Sequence, residues 1–419
     1  MLRSHRTSSD LVSAAPRLAE VEGLRAVAAT SILVFHCWVF SSPAVLDWNL
    51  GPATPFVQPL QGGVTLFFVL SGFLLYRPIV RAILDGEQVP SARSYLRNRA
   101  LRIIPAYWVI LLVVVAVLHS ATVHATDAGI ATGHLGDPRT IAADLTLTQT
   151  YDPRTIWSGI PPAWSLTIEL AFYLSLPLLA LVAARVARVY ATNRGRIVAV
   201  FTPAVGLFLF GVLGKISVAL FSDGPERAVS ADWHSVLDRS FLTHADLFAF
   251  GMAVAVCLLV CDRLRRPLPH VLTRLIGRPL AYAGLPTLVL GYYLLPPYVF
   301  DSAVALFASL LLLRVLRPTE GGGDARRTGF LTRRWTLACG RISYSIFLWN
   351  YPVLAFLKNH HVLATGNDAP AFVVNMAIAV PIVIGLSCLT YRFVEAPALA
   401  LKKRGARLSR PVPAPSTTG

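Results

Sequence analysis

The sequence predicts an all-α protein, a polytopic transmembrane bundle of about ten helices, and three observations lead there. Of its 419 residues 55% are hydrophobic and only 14% charged, an apolar surplus that soluble packing does not absorb. The apolar residues fall in runs of about 17 to 23, the length a helix needs to cross the hydrocarbon core. Lys and Arg also alternate strictly from one connection to the next.

Residues 1–22 are basic and Ser-rich with no apolar core, so they read as a cytoplasmic tail and not as a cleavable signal. A single membrane domain is expected over 23–395. Within it the spans fall at roughly 24–40, 59–76, 103–120, 162–184, 197–221, 239–261, 279–295, 299–316, 335–357 and 371–395. The last segment, 396–419, is basic and then Pro-rich and reads as a disordered cytoplasmic tail that anchors topology on anionic lipid. The tails and the connections on their side carry 29 of the 38 Lys and Arg, and the opposite loops carry five. Because positive charge collects in cytoplasmic loops, both termini are placed on the cytoplasmic side of the plasma membrane.

Composition also excludes classes. The net charge of +16 is spread over connections, with no soluble basic domain to bind nucleic acid. All five cysteines lie in or beside apolar runs, so no disulfides are expected. Cys257 and Cys261 share a helix face but lack companion ligands, and no metal site is expected. No internal repeat stands out, which removes one mark of a secondary transporter. The GGGD stretch at 321–324 reads as a flexible connector.

Polar groups within spans are costly and mark function. The first span places Arg25 and His36 eleven residues apart, on one face and separated by roughly 16 Å of rise. Ser165 and Glu169 share a face of the fourth span, and Glu169 is expected near the depth of His36, where a carboxylate would orient the imidazole as a general base. At the opposite ends Arg25, Arg99, Arg102, Arg341 and Arg392 converge on one depth. Guanidinium groups bind phosphate through forked hydrogen bonds, so a phosphate-bearing ligand suits them. The two ends require a continuous passage for a long donor threaded from the cytoplasm. Lys215, His244 and Asp246 form either a structural ion pair or part of an acceptor site.

The segments EGLRAVAATSILVFH, GGVTLFFVLSGFLL, RNRALRIIPAYW, AWSLTIELAFYLSLPLL, CGRISYSIFLWNYPVL and YRFVEAPAL, in this order, resemble the acyltransferase-3 family of integral membrane acyltransferases. The resemblance implies an acyl-CoA co-substrate, no permanently bound cofactor, and an acceptor hydroxyl on an envelope glycan or a macrolide-like product. It makes His36 catalytic and Arg25 a donor contact, and it carries its Arg-x-x-Arg motif onto Arg99 and Arg102. The remaining substrate-binding candidates are Ser71, Thr65, Ser165, Asn350 and Tyr344. Thr65 stands where the family commonly has an acidic or amide residue, and Asn350 where it often has His. Asn350 cannot carry a proton near neutral pH, so it is assigned to substrate binding. Direct transfer and a covalent intermediate on Ser165 both stay open. The alternative from another class is a transporter or flippase with Arg25, Glu169 and Lys215 along its path.

Overall fold

The computed structural model describes residues 8–41, 54–126, 129–190, 192–221, 230–316, 329–364, 366 and 369–401. Ten helices follow the expected spans in order. They are α1 (Ser8–Ser41), α2 (Gly63–Asp85), α3 (Ala92–Ala116), α4 (Trp164–Val189), α5 (Asn193–Phe221), α6 (Phe241–Leu264), α7 (Gly284–Leu294), α8 (Pro297–Leu316), α9 (Ser343–Asn359) and α10 (Ala369–Thr390). Among the described residues, eight segments are long and apolar enough to cross a membrane, and the chain is an all-α multi-pass membrane protein.

The seventh and ninth spans are the short ones. Before α7 the chain forms a separate turn of helix, Arg278–Tyr282, and α7 itself stops ahead of Pro296 and Pro297, where the chain lacks consecutive amide donors. Similarly, the ninth expected span, 335–357, divides at Ile342 into a short helix Arg334–Arg341 and α9. Helix α1 begins at Ser8, inside the stretch expected as a tail, and helix also continues to Leu401 beyond α10. Residues 402–419, the rest of the expected C-terminal tail, and the 321–324 connector lie outside the described residues.

Small residues set the central crossing. A Cβ on Gly72 would stand 2.1 Å from the Phe248 carbonyl oxygen, and one on Gly251 would stand 1.9 Å from that of Val69, so α2 and α6 touch backbone to backbone. Beside them Phe248 stacks on Phe172 of α4 at 4.1 Å and packs on Phe68 of α2 at 4.8 Å, which ties three helices into one aromatic core. Large apolar side chains such as Leu178, Leu213 and Val373 stay exposed on the outside, as a lipid-facing surface requires.

Between α3 and α4 lies a folded cap. An antiparallel hairpin, β1 (Ala121–Thr126) and β2 (Gly129–Gly133), is followed by a short helix Pro138–Thr146, whose N-cap Asp137 accepts from the amides of Arg139 and Thr140. The cap is sewn down by Tyr107 Oη donating to the Asp144 carbonyl (2.7 Å) and by Trp108 Nε1 donating to that of Leu145 (2.9 Å). Pro161, Pro162 and Ala163, which lead into α4, are buried, so α4 starts inside the packed protein.

Candidate functional site

Helices α1 and α9 lie side by side and run in the same direction, and polar pairs near either end join them. Arg25 Nη2 donates to Ser343 Oγ at 3.2 Å, and eleven residues further along α1, His36 Nδ1 lies 2.5 Å from Asn350 Oδ1. Asn350 fixes the tautomer. Its amide nitrogen donates to the carbonyls of Ile346 (3.1 Å) and Phe347 (2.7 Å), which can only accept, so the group facing the ring is the oxygen. His36 therefore carries its proton on Nδ1 and presents the lone pair of Nε2. The Tyr351 ring, edge-on at 5.5 Å, further limits ring rotation.

The expected partner, Glu169, is elsewhere. It accepts from Ser71 Oγ (2.6 Å) and Tyr173 Oη (2.5 Å), in a cleft lined by Arg25, Arg99 and Arg102. Counting residues from the helix start placed Glu169 level with His36 on the premise that α4 begins at the membrane surface. That start is itself buried, and Glu169 lies at the level of the arginines. Asn350 takes the orienting position instead.

The cleft gathers most of the remaining candidates. Arg25 lies over the Phe67 ring, Arg99 over Tyr173 and Arg102 over Tyr344, each within 6 Å of the centroid. Arg99 Nε is buried and has no hydrogen-bond partner among the described residues. Ser71, Ser165 and Tyr344 also line it, with Ser165 Oγ donating to the Pro162 carbonyl (3.0 Å) and Tyr344 Oη to that of Ile103 (2.9 Å).

Three candidates fall outside. Arg341 is exposed at the end of its short helix, because the break at Ile342 turns Ser343 toward Arg25 in its place. Arg392 is exposed on a π-helical turn, Tyr391–Glu395, whose extra residue per turn removes the usual i, i+3 stacking; Glu395 consequently pairs with Arg102 and not with Arg392. Thr65 faces α8, where it donates to Asp301 Oδ1 at 3.2 Å. Lys215 and Asp246 form a buried ion pair of 2.5 Å, bridged by Ser302, which leaves Lys215 outside the cleft.

His36 does not line the cleft. Phe347, four residues after Ser343 and three before Asn350 on α9, stands between the two levels and meets Phe67 edge-on at 6.1 Å. Both rings line the cleft and His36 does not, so the cleft stops short of the expected continuous passage. Residues that sequence reasoning missed include Ser343, Glu395, Asp301 and Tyr173. Only Tyr173 had a readable signal, four residues beyond Glu169 on the same helix face.

Fold and site define a multi-pass membrane protein whose buried cleft collects three guanidinium groups and one carboxylate below an oriented histidine. The chain belongs to the acyltransferase-3 family, whose model, an acyltransferase domain, matches residues 18–392. It is 31% identical to the acyltransferase MdmB of Streptomyces mycarofaciens over 165 residues, 39% of each chain. It is 23% identical over 389 residues to a Staphylococcus aureus (strain COL) protein with the provisional name of an O-acetyltransferase, covering 90% of this chain and 56% of that one. Over the same length it is 25% identical to YrhL of Bacillus subtilis (strain 168), provisionally named a peptidoglycan O-acetyltransferase, covering 90% of this chain and 54% of YrhL. The chain thus spans about half the length of these last two relatives, and less of MdmB. No solved structure matches it.

Proposed function

We propose that the protein transfers a short acyl group, such as acetyl, from acyl-CoA to a hydroxyl of an envelope carbohydrate or a macrolide-like molecule. The observation that carries this reading is the shared α1–α9 frame, with Arg25 held at one end and a tautomer-fixed His36 at the other. The rise of about 16 Å between them suits a donor with phosphates at one end and a thioester at the other.

In this reading the donor phosphates rest on Arg25, Arg99 and Arg102 through charge-assisted hydrogen bonds. His36 Nε2 takes the proton of the acceptor hydroxyl as its oxygen attacks the thioester carbonyl. The C–S bond breaks, and the leaving thiolate recovers the proton from the imidazolium. Asn350 Oδ1 accepts from Nδ1–H throughout and holds the ring in place. The Phe67 and Phe347 rings part to bring thioester and imidazole together. Ser165 spends its hydroxyl on the Pro162 carbonyl at the start of α4, which favours direct transfer over a covalent intermediate on that residue.

The names of the Staphylococcus and Bacillus relatives support O-acetylation, and that of YrhL supports a glycan acceptor. The charge alternation and the parallel run of α1 and α9, an odd pair of spans, support a plasma-membrane protein with cytoplasmic termini and a cytoplasmic donor side. The test is CoA release by the purified protein given acetyl-CoA and a glycan acceptor. Acceptor-dependent release is expected. Movement of a substrate across a sealed vesicle with no acyl donor present would contradict it and favour transport.

A further inference from the structure

We propose that Glu395 is a positioning residue that orients Arg102 toward the phosphates of the donor. The inference rests on the acyl-CoA reading above and deepens it.

Glu395 ends the π-helical turn after α10, and its side chain is 2% exposed as a residue. Each carboxylate oxygen has its own partner: Oε2 lies 3.2 Å from Arg102 Nη1, and Oε1 accepts from Ser345 Oγ at 2.5 Å. Ser345 belongs to α9, two residues past the Ser343 that receives Arg25. A single carboxylate therefore links α10 to α9 and to the arginine on α3.

Glu395 does not itself line the cleft, whereas Arg102 does. The guanidinium has five N–H donors in a rigid fork, and Glu395 fixes one edge of it from behind. The Tyr344 ring lies within 6 Å of the same guanidinium and restricts its plane. With one edge and the plane fixed, the remaining donors are aimed into the cleft before any ligand arrives, and less freedom is lost on binding. The carboxylate also offsets the repulsion between Arg102 and the nearby Arg25, which holds two cations in one buried cleft.

A π turn is the device that makes this possible. In an unbroken α-helix Glu395 and Arg392 would sit three residues apart on one face and satisfy each other. The extra residue in the turn separates them, leaves Arg392 exposed, and delivers Glu395 inward to Arg102.

The test compares two donors that share a thioester and differ in phosphates, acetyl-CoA and acetyl-pantetheine, on the full chain in lipid nanodiscs. In Glu395→Ala the KM for acetyl-CoA is expected to rise about tenfold to a hundredfold, the range for loss of a charge-assisted hydrogen bond, with kcat changed less than about twofold. The KM for acetyl-pantetheine is expected to stay at the parent value, and Glu395→Asp to recover part of the loss. Adding Glu395→Ala to Arg102→Ala should raise the KM for acetyl-CoA no further. If Glu395→Ala does not fold, Glu395→Gln, which keeps the volume, carries the same two-donor comparison. Equal losses on both donors would mean a merely structural role and overturn the proposal, as would an unchanged or lowered KM for acetyl-CoA. A parent protein that turns over neither donor overturns the acyl-CoA reading itself, a result distinct from either.

Discussion

His36 Nδ1 and Asn350 Oδ1, 2.5 Å apart, join the first and ninth spans through a neutral amide where a carboxylate was expected. An amide orients the ring and fixes its tautomer, but it supplies no negative charge to stabilise an imidazolium. Asn350→Ala is expected to lower kcat about tenfold to a hundredfold with the donor KM unchanged, since only ring orientation is lost. Asn350→Asp restores an anionic partner of the same shape and should retain more activity than the alanine variant. Steady-state kinetics of both variants check this, and equal activity of Asn350→Ala and parent would remove Asn350 from the mechanism.

Arg25 and Arg99 reach the cleft from different helices and, among the described residues, share no carboxylate partner by hydrogen bond. Arg25→Ala and Arg99→Ala should each raise the KM for acetyl-CoA about tenfold or more and leave acetyl-pantetheine unaffected. Arg392→Ala, outside the cleft, should match the parent. The same donor pair reads all three.

Phe67 and Phe347 meet edge-on in the lining of the cleft, and in the proposed reaction they separate the donor side from His36. Phe347→Leu keeps an apolar side chain but opens this partition, so acceptor-independent hydrolysis of acetyl-CoA should increase several-fold as water reaches the thioester. The measurement is CoA release without acceptor. No increase would show that the rings do not separate donor from water.

The cap has its own pH dependence. Asp144 is buried with one hydrogen bond, from Ser158 Oγ at 2.9 Å, and burial pushes its carboxyl up to about 7. Raised above the usual value near 3.9, the folded group holds a proton that the unfolded chain releases. Cap stability is therefore full below about pH 4, declines by about 1.4 kcal/mol per unit above it, and levels off beyond pH 7. Asp144→Asn should flatten this profile and raise the melting temperature at pH 8 relative to the parent, as read by thermal unfolding across pH. Gly159 packs against the same carboxylate with a φ of +65°, and a Cβ there would lie 2.7 Å from Asp144 Cγ, so Gly159→Ala should unseat the cap.

Lys215 and Asp246 are buried as an ion pair, and their pairing is expected to show in stability. Lys215→Met leaves a buried carboxylate uncompensated and should cost about 3–5 kcal/mol, whereas Lys215→Met with Asp246→Leu should recover most of that loss. Thermal unfolding of the single and double variants separates the two.

The parts of this molecule legible in the sequence were those that follow from one helix at a time. Arg25 and His36 share a face because eleven residues make almost whole turns, and the spans follow from apolar run lengths. What escaped depends on how helices are set against each other. The depth of Glu169 could not be counted from residue numbers, because the start of α4 is itself buried. Asn350 read as a departure, yet its neighbours Ile346 and Phe347 bind its amide and turn its oxygen to His36. Arg392 and Glu395 are three residues apart, a spacing that would put them on one face of an α-helix, and a π turn rotates them apart. Even so, three of the five arginines assigned to one depth share a cleft, because α1 and α3 carry them to the same part of the bundle.

Transfer of the acceptor's proton to the free Nε2 of His36 is the step on which the proposed reaction depends. Its most direct measurement pairs donor affinity with turnover in His36→Ala, on protein shown to be folded by an unchanged melting temperature. Acetyl-CoA should bind as it does to the parent while CoA release with acceptor falls about a hundredfold or more. Turnover close to that of the parent in the folded variant would contradict the role given to His36.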